Sequence, residues 1–312
     1  MKNSFSFLLL LFPALVFSQA VPLVSTRCYG GSGNEDRCFG TIEMPQGFLM
    51  TGKTNSADGD VTDFHGSEDG LLVKTDALGN VAWSHAYGNS GLEALFTSIR
   101  TSDGNLLSVG YSSSVGGQVT TNAGMADYWV IKTDVLGNII WQKSYGGSKD
   151  DVAYCAVEMA DGTYLIGGLS NSLDGDITDH HGNNSTFSDA WFIRVNPANG
   201  AILWKRSYGG SGNEGDFGNF SYFKLLNIVT RGDSTFAFTC MTSSADGDVQ
   251  SNPTGSLSYW LVKSSEAGTV LFEKSYGGTN NDISYNLALT NDGGYIVVGG
   301  SASNDGDLTA HQ

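Results

Sequence analysis

Positive charge is scarce in this chain. Its 312 residues carry 16 Lys and Arg against 32 Asp and Glu, for a formal net charge of −16. A surface that negative repels phosphate backbones and anionic headgroups, which argues against nucleic acid and acidic lipid as partners and suits a soluble extracellular protein or a binder of cations. Cysteine is equally sparse: Cys28, Cys38, Cys155 and Cys240 are too few and too scattered for a disulfide scaffold. Cys155 and Cys240 lie in apolar runs that suit buried thiols. Cys28 and Cys38 lie ten apart in sequence and a bridge between them is left open. Past the N-terminus no apolar run is long enough to cross a bilayer as a helix, and no segment shows a convincing helical period. Gly-x-Ser-x-Gly, His-Glu-x-x-His and phosphate-loop motifs are missing, and the few arginines are dispersed. With no catalytic constellation in sight, the expectation is a protein that is not an enzyme.

The N-terminus is what an export signal requires. Lys2 gives a positive start, Phe5 to Phe17 is apolar apart from Ser6 and Pro13, and Val16 and Ser18 are small enough to flank a cleavage point before Gln19. Residues 1–18 therefore read as a signal peptide and 19–312 as the mature chain, secreted or on the outer cell surface. No cysteine follows the apolar stretch to take a lipid anchor.

Glycine is abundant, 42 in all, and it falls at regular intervals. Tyr-Gly-Gly-like signals begin at Tyr29, Tyr87, Tyr145, Tyr208 and Tyr276, and Ser-x-Asp-Gly-Asp recurs at Ser56, Ser172, Ser244 and Ser303, with a degraded copy at Ser114. The repeat is about 60 residues long and occurs about five times. Within it the hydrophobic period is near two. Residues 94–101, 106–112, 128–133 and 139–145 read as strands A to D of one module, with Gly, Asn and Asp in the turns. Four antiparallel strands per repeat in tandem predict an all-β, β-propeller architecture of four-stranded blades. Gly52, Gly110, Gly168 and Gly299, with Cys240 in the remaining copy, hold one position in strand B, where a small residue would let adjacent blades approach closely.

Each C–D hairpin carries Asp, Gly and Trp in step: Asp76, Gly79 and Trp83; Asp134, Gly137 and Trp141; then Asn196, Gly200 and Trp204, with Phe272 in place of the fourth Trp. This resembles the tryptophan-docking motif of quinoprotein-like propellers, which implies that Trp83, Trp141 and Trp204 dock between blades. The resemblance carries architecture rather than activity. Quinone enzymes of that kind resemble eight-bladed rings and cover the quinone with adjacent cysteines; this chain has no Cys-Cys pair and too few repeats, so no quinone is expected. The whole module also looks like the repeats of secreted and cell-surface proteins of bacteroidete-type bacteria, associated with type IX secretion, although the sorting domain usual there is not seen. By strand order residues 22–30 form a lone strand D, four full modules follow, and the last supplies A and B. A truncated chain and a fragment of a larger ring both stay open.

In a propeller the D–A and B–C loops share a face. Glu35, Glu93, Asp151, Glu214 and Asp282 each follow their Tyr-Gly-Gly tyrosine by six residues, and Asp58/Asp60, Asp174/Asp176, Asp246/Asp248 and Asp305/Asp307 lie in the B–C loops. The expectation is a ring of carboxylates on a ligand face. Calcium is the candidate cofactor for the Asp-Gly-Asp loops; turn chemistry, with the carboxylates bonding backbone amides, is the competing reading. His65, His180 and His181 read as solvated loop residues, and Phe64, Tyr111 and Tyr259 as exposed aromatics. The function expected is a binding or adhesion propeller for a glycan or another surface protein. Two alternatives stand beside it: a glycoside-active enzyme using some of these acids as general acid and base, and a purely structural surface repeat.

Overall fold

The computed structural model describes residues 26–182, 185–215, 226–252 and 255–307. The signal-peptide reading, the cleavage point at Ser18/Gln19 and His311 lie outside these residues. The regular elements among the described residues are all strands. Blade one holds β1 (Arg37–Met44), β2 (Gly47–Thr54), β3 (Asp69–Thr75) and β4 (Val81–Tyr87); blade two holds β5 (Glu93–Arg100), β6 (Leu106–Ser112), β7 (Asp127–Thr133) and β8 (Ile139–Tyr145). Blade three runs through β9 (Asp151–Glu158), β10 (Tyr164–Ser170), β11 (Asp189–Val195) and β12 (Ile202–Tyr208). Blade four runs through β13 (Asn227–Thr230), β14 (Thr235–Thr242), β15 (Ser258–Ser265) and β16 (Val270–Tyr276). The fifth sheet is a pair, β17 (Asp282–Leu289) with β18 (Tyr295–Ser301). Every neighbour in every sheet is antiparallel and consecutive, the up-and-down order of propeller blades. The strand boundaries expected for blade two hold to within a residue.

Turn chemistry fixes the hairpins. In the C–D turn of blade two, Asp134 Oδ1 accepts from the backbone N–H of Leu136 and Asn138 at 2.8 and 2.9 Å, and Gly137 sits at φ 86°, a conformation costly for any residue with a Cβ. Asp76 caps the turn of blade one in the same way. Hydrophobic alternation then gives each sheet two apolar faces, which only a neighbouring sheet can cover. The six tryptophans divide the labour. Trp129, Trp191 and Trp260 on the third strands are fully buried and face the preceding blade. Trp83, Trp141 and Trp204 on the fourth strands donate their indole N–H to a C–D turn carbonyl of the following blade: Val135, Pro197 and Ala267, at 3.2, 3.0 and 3.1 Å. Each of these indoles thus reaches from one blade to the next.

A second fastening accompanies it. The Tyr29, Tyr87, Tyr145 and Tyr208 hydroxyls donate to the carbonyls of Gly79, Gly137, Gly200 and Gly268, each in the next C–D turn. The tyrosine of Tyr-Gly-Gly is thus a blade-to-blade strut.

The strand-B glycines serve a purpose within each blade in addition to the one expected between blades. A Cβ on Gly52, Gly110, Gly168 or Gly299 would overlap a carbonyl oxygen of the first strand in its own blade, namely that of Arg37, Ala94, Val152 or Ile283. At each of these places the first strand is bulged, and the bulge pushes a carbonyl across the glycine. The constraint is therefore within a blade at each of the four, and at Gly168 and Gly299 it is also between blades, where Tyr128 and Tyr259 of the preceding blade come to 2.6 and 2.8 Å of a Cβ. Cys240, at this position in blade four, is buried and pairs with Trp260 of β15. Gly110→Ala should accordingly cost about 3 kcal/mol in chemical denaturation, whereas Cys240→Ala should cost less than half as much. Equal costs would refute the bulge account.

Candidate functional site

The D–A and B–C loops do meet at one edge of each blade, and they meet as a fastening. The sixth-position acids turn inward. Glu93, Asp151, Glu214 and Asp282 are fully buried, each accepting from the backbone N–H two residues past its Tyr-Gly-Gly tyrosine: Asn89, Gly147, Gly210 and Gly278, at 2.8, 2.7, 3.1 and 2.9 Å. Hydroxyls from the end of strand B complete the shell, with Ser112 on Glu93, Thr242 on Glu214 and Ser301 on Asp282. The serine of Ser-x-Asp-Gly-Asp joins them: Ser172 on Asp151 and Ser303 on Asp282, both at 2.9 Å. A buried carboxylate is tolerable only with such donors.

The first copy departs from the expected register. Its D–A loop is one residue longer, and Asp36, not Glu35, accepts from Gly31 N–H and from the Thr54 and Ser56 hydroxyls. Glu35 points outward and pairs with Arg37 at 2.8 Å. Glu35 is thus no member of the set, and a ring of ligand-facing acids is not what these positions form.

The Asp-Gly-Asp loops clasp the same Tyr-Gly-Gly turn from the other side. Asp58, Asp174, Asp246 and Asp305 accept from the N–H of Ser32, Ser148, Ser211 and Thr279 at 2.6–2.9 Å. These bonds hold the carboxyls of Asp58, Asp246 and Asp305 below the usual range. Asp60, Asp176 and Asp307 accept from Gly30, Gly146 and Gly277 at 3.2–3.3 Å. Asp248 instead takes Arg206 at 3.0 Å. The middle glycines lie at φ 65–67° against the neighbouring Tyr-Gly-Gly backbone. Blade two, lacking the motif, substitutes Gln118, which accepts from Gly88 N–H at 3.1 Å. Each loop thus presents two aspartates already engaged with amide or guanidinium donors, and among the described residues no cluster of three or more His, Cys, Asp or Glu has a metal-holding arrangement. The residues fit turn chemistry better than a six- to eight-oxygen calcium shell.

A third set of acids went unnoticed in the sequence. Asp69, Asp127 and Asp189 open the third strands, fully buried, and each leaves its Oδ1 without a hydrogen-bond partner among the described residues. A Cβ on Gly88 would lie 2.6 Å from both Asp69 Oδ1 and Glu93 Oε2; one on Gly146 would lie 2.5 Å from Asp127 Oδ1 and 2.6 Å from Asp151 Oδ2. Two buried carboxyls therefore flank one glycine at the seam between blades, one from each blade. Desolvation raises Asp127 to about 6, and Asp151 and Glu214 to about 7; Asp69 and Glu93 also move up. The signal was available in the repeat, since each acid stands two residues before an aromatic or leucine of strand C.

His65 is exposed and His181 half-buried, and both are held by carboxylates. Their Nδ1 atoms lie 2.9 Å from Asp69 and Asp189, and His181 Nε2 stands 3.6 Å from Asp248 of the next blade. The Asp189 hydrogen bond raises the His181 pKa. The His180 side chain is 3% exposed. Tyr111 is core, and Tyr259 donates to the Gly300 carbonyl. Phe64 is half-buried and lines an open cleft of about 520 Å³ with Asp63, His65, His85, Gln118 and Asn138. Cys28 and Cys38 are exposed thiols.

No protein-family model matches this chain, and no curated protein is significantly similar to it. Among solved structures it is similar to a Bombyx mori GH32 beta-fructofuranosidase, BmSUC1, in complex with sucrose, at 11% identity and a TM-score of 0.36. The match covers 86% of this chain and 51% of that one, so the chain spans about half the length of the enzyme. The expectation of a non-enzyme finds no support in these comparisons. A likeness this slight assigns no activity. No helix among the described residues is long and apolar enough to cross a membrane.

Two measurements check this site. The folded state holds protons on Asp127, Asp151 and Glu214 more tightly than the unfolded chain, where carboxyls titrate near 4. Fewer protons are bound on unfolding, so stability is greatest below about pH 4–5 for these groups and falls as pH rises through about 7. The melting temperature should drop by about 4 °C or more between pH 5.5 and 8, and Asp151→Asn should flatten that slope; a flat or rising wild-type profile would contradict the buried pairs. The second measurement is a melt in millimolar calcium and then in chelator, where the change should stay within about 1 °C. A rise of several degrees reversed by chelation would make the Asp-Gly-Asp loops metal ligands instead.

Proposed function

We propose that this chain is an extracellular binding module that holds a glycan in the cleft between blades one and two. The carrying observation is that cleft's lining: two aromatics, Phe64 and Tyr87, with a carboxylate, two imidazoles and two amides around about 520 Å³ of open space. A sugar ring offers C–H faces to an aromatic and hydroxyls to such donors and acceptors, a mix that suits small-ligand sites. His85 is fixed in orientation, its Nδ1 2.9 Å from Asp63 and its Nε2 3.2 Å from the Leu136 carbonyl, so it offers the cleft its ring edge.

Loop anatomy supports the reading. Each B–C loop starts from a buried aliphatic anchor, Val61, Val119, Ile177 or Val249, and is clasped by the seam. Beyond the anchor the sequences diverge, and Met125 and Phe187 are exposed at 56% and 39%. A constant frame carrying variable exposed tips is the usual division between scaffold and recognition. The strongly acidic composition favours a neutral ligand over an anionic one. The export-like N-terminus and the likeness to type IX-secreted surface repeats support an extracellular setting.

A glycan array followed by titration tests this. A neutral oligosaccharide should bind, and Phe64→Ala should weaken it by about tenfold or more with little change in melting temperature. No binder across the array would sink the proposal. Hydrolysis of the bound sugar would move the protein to the glycoside-active reading.

A further inference from the structure

The first three seams between blades share one frame and differ at two positions in it. In each, the acid that opens the third strand accepts from the backbone N–H of a residue in the loop before it: His65 to Asp69, Ala123 to Asp127 and His181 to Asp189. The clasping loop of the next blade ends in Gln118, Asp176 or Asp248. Seam one–two therefore has a histidine and a neutral amide, and seam two–three an alanine and a carboxylate. Of these three, seam three–four alone combines a histidine with a second carboxylate.

There the ring is caught between acids of two blades. His181 Nδ1 lies 2.9 Å from Asp189 Oδ2, and its Nε2 lies 3.6 Å from Asp248 Oδ2. That Asp248 oxygen is buried without a hydrogen bond among the described residues. Two acceptors facing one imidazole are both met only when both ring nitrogens carry a proton, because the neutral ring turns a lone pair toward one of them.

The surrounding charge sharpens that demand. Glu214 and Asp189 flank Gly209, Asp246 holds the Ser211 amide at 2.6 Å, and Asp179 holds that of Ser207 at 3.0 Å. Against these acids stands Arg206, 3.0 Å from Asp248 and stacked on Tyr208. His180 adds a buried imidazole whose Nδ1 is 3.9 Å from Asp189, with neither ring nitrogen hydrogen-bonded among the described residues.

We infer that His181 is a proton-operated clasp: carrying two protons it ties the loop of blade three to Asp248 of blade four, and on losing one it releases that seam while its neighbours stay shut. The Asp189 hydrogen bond raises His181 above its ordinary value, so its contribution is complete below about pH 6.5 and is lost as pH rises through the folded value. Glu214, raised by burial to about 7, loses its proton in the same direction. The seam then gains a negative charge beside Asp189 and loses a positive one beside Asp248, with Arg206 left to offset both.

Backbone amide exchange on the whole chain, corrected for the intrinsic pH dependence of exchange, tests this. The reporter is Asp248 N–H, bonded across the seam to the Gly209 carbonyl at 2.8 Å; the control is Asp176 N–H, bonded to that of Gly146 at 2.9 Å. Between pH 5.5 and 8.5 the reporter should lose about tenfold or more protection relative to the control, and His181→Gln should remove most of that difference. Ring nitrogen-15 shifts of the unmodified protein give an independent readout, reporting whether both His181 nitrogens are protonated at pH 5.5. Equal loss at Asp176, an undiminished pH effect in His181→Gln, or a singly protonated His181 ring at pH 5.5 would each overturn the inference.

Discussion

A carboxylate taken out of water must find N–H or O–H donors, and in this chain those donors come from two blades at once. Asp151 takes its amide from the end of blade two and its hydroxyl from the loop of blade three. Satisfying the acid therefore means bringing the blades together in one relative position. The Trp and Tyr struts at the opposite end of each seam make the same demand through their polar tips, so each seam is pinned at both ends with an apolar layer between. Hydrophobic burial alone would tolerate sliding; hydrogen bonds at both ends do not.

That arrangement changes how the repeated acids should be understood. Their symmetry invites a functional reading, because a ring of identical carboxylates resembles a ligand-binding rim. Burial removes them from any ligand and makes them part of the frame. What remains for recognition is what the repeats do not share, chiefly the loop tips and the cleft around Phe64 and His85.

The fold was legible because its signals are local and repeated. Strand alternation, the glycines of the C–D turns and the tryptophan spacing each state a backbone or packing requirement within a few residues. The site was less so. Register over the first acid fails because one inserted residue moves the role from Glu35 to Asp36, and spacing alone cannot weigh which of two adjacent acids turns inward. The third-strand acids were hidden because a polar residue at a strand start reads as solvent-facing. The strand-B glycine was seen, but its cause was a bulge in a neighbouring strand, which no single-strand pattern reveals. Tyr111 likewise reads as a free aromatic until the next sheet covers it.

The stacking of sheet on sheet gives the molecule the character of a one-dimensional array. In such a chain of units the ends have one neighbour each and the middle has two, so cooperativity decays toward the termini. Among the described residues the two-stranded sheet is covered least, with Ile296 and Val298 more than half exposed. It is the unit where amide exchange and proteolytic nicking would begin, while blades two and three, enclosed on both faces, hold their protons longest.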